Sequence, residues 1–108
     1  PEPTAAWQVA SDGSEVLTPD GRLDLRRRRA VRRILARLAR ARMEAPGSVV
    51  TVEACMEAGW PGERMAWSSA QARVWTAIRT LRSLGLQEVL ETVSEGYRLA
   101  GVVRVVVP

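Results

Sequence analysis

Residues 68–99 read SSAQARVWTAIRTLRSLGLQEVLETVSEGYRL, and this stretch decides the fold. Its first half has helical rhythm. Val74, Ile78 and Leu81 recur at the spacing of one buried stripe, joined by Ala70 and Ala77. Ser68 and Gln71 match the S-x-x-Q capping box, which satisfies two orphan amide donors at a helix start. Gly85 stands where a C-terminal glycine belongs, with Leu86 able to fold back onto Leu81. The spacing therefore predicts a helix over 69–84. Val89–Val93 and Tyr97–Leu99 flank Ser94-Glu95-Gly96 as a hairpin. Opposite the buried stripe of the helix lie Ser69, Ala72, Arg73, Thr76, Arg79, Thr80 and Ser83, with Arg82 and Trp75 at the flank.

Upstream, Arg26 to about Met43 has the pattern of a first helix. Val31, Ile34, Leu35 and Leu38 share one stripe, and Pro46-Gly47 ends it. Its other face is arginine, at positions 26, 27, 28, 29, 32, 33, 37, 40 and 42. Four arginines in a first turn oppose the helix dipole, which favours acids there. A charge run on one side of a helix is usually a solvated face. Yet a local rule broken without visible compensation points to a partner such as phosphate or an acidic neighbouring domain, with Arg26, Arg28, Arg29, Arg32 and Arg33 as its candidate surface. Thr51 can cap a short second helix with Glu53 in its first turn, which Gly59 stops and Trp60-Pro61-Gly62 turns away. Val49-Val50 before it is a short extended piece.

At the N-terminus, Trp7–Ala10 and Glu15–Thr18 read as strands around an Asp12-Gly13 turn. Thr18-Pro19-Asp20-Gly21 turns the chain again, and Arg22–Leu25 alternates like a third strand. Trp7 is expected to anchor this sheet, and Trp60 and Trp67 to pack in the core or the connector. Trp75 is expected to be partly buried against the hairpin. Val102–Val107 is β-branched and is expected to prolong the last strand or serve as a linker. Residues 1–5 read as a flexible end, 6–100 as one domain and 101–108 as that C-terminal strand or linker. The Pro-Glu-Pro opening reads as a domain excised from a longer protein.

The composition suits one soluble domain: 108 residues, 46% hydrophobic and 26% charged, enough for one modest core. The net charge is +4, and all sixteen basic residues are arginine. GC-rich coding writes arginine for lysine, yet the guanidinium fork also matches phosphates and guanine edges. The single cysteine, Cys55, rules out an internal disulfide or a cysteine-based zinc site, and it fits a reducing cytoplasm. No apolar run is long enough for a bilayer, and no signal peptide opens the chain. There is no histidine, no phosphate-cradling glycine loop and no evident acid pair, so an enzyme is not expected. Asp12, Asp20 and Asp24 each fit a turn or strand end, and no metal or other cofactor is expected.

The order strand, helix, helix, helix, hairpin resembles the winged-helix effector domain of OmpR/PhoB-type response regulators. The resemblance rests on Val49-Val50-Thr51 followed by Trp60. It rests also on Val74, Ile78, Leu81 and Arg82 in the third helix, and on Glu91-Thr92-Val93 with Gly96-Tyr97-Arg98-Leu99. It covers about Trp7 to Leu99. It implies an α+β winged helix-turn-helix: N-terminal antiparallel strands, three helices and a C-terminal hairpin wing. It further implies a bacterial, cytoplasmic transcription regulator of two-component signalling. Its third helix would enter the major groove of double-stranded DNA, and its wing would touch the backbone or minor groove. The resemblance assigns bases or phosphates to Arg73, Thr76, Arg79 and Thr80, and the wing contact to Arg98. From their positions on the helix, Ser69 and Arg82 join the expected DNA-binding set.

Two copies on neighbouring half-sites are expected, since one small module gives limited specificity. The sequence departs from the family pattern in four ways, the first being that Ser94-Glu95 stands in a shorter turn where the family's wing usually carries an arginine after Thr-Val. Glu88, Glu91 and Glu95 make the wing acidic, the first helix is unusually rich in arginine, and Trp75 and Ala77 stand where polar residues are common. These departures carry the alternative expectation: a winged-helix module that docks on proteins, such as other domains of its parent, and does not bind DNA.

Overall fold

The computed structural model describes residues 6–108; the expected flexible end, residues 1–5, lies outside them. Three short strands come first: β1 (Gln8–Ala10), β2 (Glu15–Thr18) and β3 (Gly21–Asp24), paired antiparallel in sequence order. The first turn is held by Asp12, whose carboxylate accepts from the Ser14 N–H at 3.0 Å and the Ser14 hydroxyl at 2.6 Å. Strand alternation sends Val9 and Val16 inward, and both are fully buried.

The first helix, α1 (Arg29–Glu44), starts three residues later than the arginine run suggests. Asp24 is the reason. Its carboxylate accepts the Arg26 N–H at 3.0 Å and pairs with the Arg26 guanidinium at 2.8 Å. The Arg28 N–H then closes a turn on the Leu25 carbonyl. Arg26 and Arg27 therefore lie in a turn and Arg28 at the cap, which leaves Arg29 and Arg32 in the first helical turn. The expected conflict with the helix dipole is correspondingly smaller. Ile34, Leu35, Leu38, Ala39 and Ala41 form the buried stripe.

After the turn at Pro46-Gly47 come β4 (Val50–Thr51), α2 (Val52–Gly59) and α3 (Trp67–Leu81). The Thr51 hydroxyl accepts from the Ala54 N–H at 3.1 Å, as expected of a cap. The capping box at α3 does not form. The chain is already helical at Trp67, with Ala66 in the cap position and the Ala70 N–H bonded to the Ala66 carbonyl. Ser68 and Ser69 are thereby moved inside the helix and onto its exposed side. A side-chain cap is worth only about 1 kcal/mol, less than the burial of Ala70 and Val74 that sets where the helix docks.

Helix α3 leaves through a turn, Arg82–Leu86, kinked at Gly85. Gly85 there has φ +145°, a conformation side-chain-bearing residues avoid, and its carbonyl accepts from the Trp7 indole at 3.3 Å. The sequence expectation for Gly85, Leu86 and Trp7 holds: Leu86 is fully buried and Trp7 packs on the core.

The hairpin β5 (Leu90–Val93) and β6 (Gly96–Leu99) follows, with β4 as third strand in the order β4-β6-β5. Gly96 sits opposite Thr51, and a Cβ on it would overlap the Val50 carbonyl, so only glycine lets β4 approach.

The C-terminal valines do not prolong the hairpin. The chain turns at Gly101-Val102, and β7 (Arg104–Val106) pairs in parallel with β1, giving a four-stranded sheet in the order β3-β2-β1-β7. The free edge of β1 supplies the reason: the Arg104 N–H bonds to the Trp7 carbonyl at 3.0 Å, and the Ser11 N–H to Val106 at 2.8 Å. These residues are an integral strand, and the fold extends past the expected limit at residue 100.

The described residues form an α+β fold of three helices and two small sheets. Helix α1 packs against α2, α3 and strands of both sheets. One core joins Val9, Val16 and Leu25 to Ile34 and Leu38, to Val74, Ile78 and Leu81, and to Leu90 and Leu99. Cys55 lies within it, and burial pushes its thiol up to about 12, so it stays protonated and inert. Among the described residues no helix is long and apolar enough to cross a membrane.

Candidate nucleic-acid interface

Helix α3 presents a face of small and hydroxyl side chains. Ser69, Ala72 and Thr76 are exposed on the side away from buried Val74, Ile78 and Leu81, and Ser83 is exposed in the turn that follows, its hydroxyl donating to the Arg79 carbonyl at 2.7 Å. Arg73 and Arg79 stand at the two edges of this face. They are six positions apart, which sets them about 120° from each other across the exposed face, so they flank the face rather than share one line. Arg73 leans toward the connector between α2 and α3, where it pairs with Glu63 at 3.2 Å and lies 5.6 Å from the centre of the Trp60 ring. Arg79 leans the other way and stacks 5.3 Å from the Trp75 ring. It makes no ion pair among the described residues. An open groove of about 410 Å³ runs beside this face, between Ala72, Arg73, Thr76 and Thr80 of α3 and Ala30, Val31 and Trp60.

Two residues of the expected set are occupied within the fold. The Thr80 hydroxyl donates to the Thr76 carbonyl at 3.0 Å, a local bond that leaves it half-buried. Arg82 donates to the Leu90 carbonyl at 2.8 Å and to the Thr92 hydroxyl at 2.7 Å, with the Tyr97 ring 6.0 Å away. It fastens the end of α3 to the hairpin. Burial raises the Tyr97 phenol above its ordinary value, while Arg82 pulls it the other way.

Arg98 is placed apart from the others. Thr92 and Tyr97 are cross-strand partners, as are Glu91 and Arg98. Alternation puts the two pairs on opposite faces of the hairpin. Arg98 pairs with Glu91 at 2.9 Å on the face away from Arg82, and it reaches toward the Gly47 carbonyl. Glu95 is exposed in the hairpin turn and Glu88 is exposed before β5. The guanidinium groups thus form no single row: Arg73 and Arg79 bracket the helix face, Arg82 is internal to the fold, and Arg98 is elsewhere.

Two aromatic residues differ from expectation. Trp67 is 51% and Trp75 56% exposed, so neither is packed in the core or against the hairpin. Trp75 sits off the core-facing arc of α3, with Arg79 covering one side of it, whereas Trp67 shares the line of Val74 but stands at the first residue of the helix. Helical periodicity places Trp75 at a flank, and how far the hairpin would reach to cover it depends on tertiary geometry.

The expected partner surface on α1 also divides. Arg26 is paired with Asp24 in the turn, Arg28 and Arg29 are exposed at the helix start, and Arg32 reaches toward the Asp12 carbonyl at 3.5 Å. Arg32 and Arg33 also line a groove against α2, together with Arg37 and Arg40. Those two were part of the arginine face but outside the expected surface; the signal was their spacing from Arg33.

The molecule these observations define is an α+β protein with a cation-bracketed helix face beside a small acidic hairpin. Comparison with protein-family models, with curated proteins and with solved structures found no match for the chain.

Proposed function

We propose that this protein is a winged-helix DNA-binding domain of a transcriptional or signalling regulator, with α3 as the element that enters the major groove. One observation carries the reading: an exposed strip of Ser69, Ala72 and Thr76 on α3, bracketed by Arg73 and Arg79 and followed by exposed Ser83. Small side chains let a helix approach base edges closely, hydroxyls bond to donors or acceptors there, and an alanine suits a thymine methyl. Arginines on the two flanks then reach phosphates on either side of the groove. The strand order β4-β6-β5, with the hairpin fastened to α3 by Arg82, is what a wing needs. A cytoplasmic setting and a pair of copies on neighbouring half-sites belong to the same reading.

The test is fluorescence anisotropy with duplex DNA over a salt series. Affinity is expected to fall steeply with salt, and Arg73→Ala with Arg79→Ala to lower the log–log salt slope by about two. An unchanged slope in that double variant removes α3 from the interface.

A second reading has its own support. Exposed Trp67 and Trp75, the carboxylates of Glu88 and Glu95, and the internal engagement of Arg82 and Arg98 suit a module that docks on proteins. Absence of any shift of random duplex at micromolar protein and low salt selects that reading, since non-specific binders retain measurable affinity there.

A further inference from the structure

Arg33, Arg37 and Arg40 rise along α1 at i, i+4 and i+7, a line of about 10 Å. Together with Arg32 they border an open groove of about 370 Å³ between α1 and α2. Its remaining wall includes Ala36, Ala54 and Ala58, which give it a shallow apolar lining. Glu57 is the single carboxylate along it, and among the described residues none of the three arginines pairs with any acid. Like charges at this spacing repel one another along a helix. Arg33 and Arg37 are also half-buried, so part of the cost of desolvating them is already met in the folded chain. Neither feature is offset within the described fold. Nor does the groove share a lining residue with the one beside the α3 face, so the α3 reading does not account for it.

We propose that the α1–α2 groove is a docking site for an acidic helical segment of a partner protein. Three observations favour a peptide over a second stretch of nucleic acid. Carboxylates at i, i+4 and i+7 of a helix repeat the pitch of the three arginines. The alanine-lined wall rewards burial of an aliphatic side chain, which a phosphate backbone lacks. Glu57 would repel a continuous row of phosphates, whereas a single basic or hydroxyl side chain on a peptide satisfies it. The occupant is thus a helix with an acidic stripe beside an aliphatic one.

The probe is a fluorescein-labelled helical peptide of about 16 residues, with glutamates at i, i+4 and i+7 and leucine at i+3. A scramble of the same composition is the control. With the full chain, the ordered peptide is expected to bind saturably and at least about tenfold more tightly than the scramble. Its amide shift changes in isotope-labelled protein should centre on residues 33–40 and 54–58. The charge reversal Arg33→Glu, Arg37→Glu, Arg40→Glu should weaken the peptide at least about tenfold while changing duplex DNA affinity less than about threefold. The shift map on the unaltered protein decides the matter even if that variant fails to fold. Equal binding of ordered and scrambled peptides, shift changes spread over every arginine, or no saturation by about 1 mM peptide overturns the proposal. So does a map on which duplex DNA, and not the peptide, moves the groove residues. Loss of DNA binding in Arg73→Ala with Arg79→Ala leaves the peptide result untouched, so the two interfaces stand or fall separately.

Discussion

A guanidinium serves a partner only when its donors are free, and Arg82 has given its own to the Leu90 carbonyl and the Thr92 hydroxyl. Replacing it with methionine keeps the stem but leaves a part-buried carbonyl unpaired. We expect Arg82→Met to destabilise the fold by about 1–3 kcal/mol, read as a lower urea midpoint. Arg82→Lys should recover only part, because a single ammonium cannot copy the planar fork. Asp24 acts at the same scale with a pH signature. Its hydrogen bonds with the Arg26 side chain and N–H lower its pKa to about 2. A carboxylate lowered on folding stabilises the fold above its ordinary value, and the contribution fades as pH falls from about 4 toward 2. The melting-temperature gap between the parent protein and Asp24→Asn should therefore shrink across that window. A constant gap would show that the turn before α1 does not depend on the charge. The pairing of Asp24 with Arg26 was hidden from helical periodicity, which treats residue 26 as the start of a helix. A side chain that bonds to the backbone two residues on competes with that pattern.

Elements fix which side chains can act together. Helix α3 turns Arg73 and Arg79 to opposite edges of one face, so they could bracket a groove but could not form a row. The hairpin adds a carboxylate at its turn, Glu95, and another in β5, Glu91, which Arg98 neutralises. If the hairpin approaches phosphates, Glu95→Gln should raise duplex affinity about two- to fivefold at low salt and less at high salt. An affinity that stays unchanged at low salt would place the hairpin turn away from the nucleic acid. The three helices and the hairpin were all legible from periodicity and from Gly59, Gly85 and Gly96. The start of α3 was not, because Ser68 and Gln71 offered a cap that the connector does not deliver. The roles of Arg82 and Arg98 were not legible either, since they depend on which face of the hairpin meets the helix.

For the whole molecule, the pairing of β7 with β1 joins residues nearly a hundred positions apart and covers an otherwise free sheet edge. Deleting residues 103–108 would empty the core position of Val103, which is 2% exposed, and bare the edge of β1. We expect a loss of more than about 2 kcal/mol together with concentration-dependent self-association, measured by denaturation and sedimentation. A deleted chain that stays monomeric and equally stable would show that β7 is dispensable. Taken alone, the amino-acid order determined the helices, the turns, the inward stripes and the placement of basic residues on α1 and α3. These follow from local periodicity and from backbone conformations that only certain residues adopt. Tertiary structure alone decided the partner of β7, the opposed directions of Arg73 and Arg79, the fastening by Arg82, and the gathering of Arg33, Arg37 and Arg40 beside α2. Each depends on contacts between segments distant in the chain, and pairing rules within a single element carry no information about which distant edge or face will arrive.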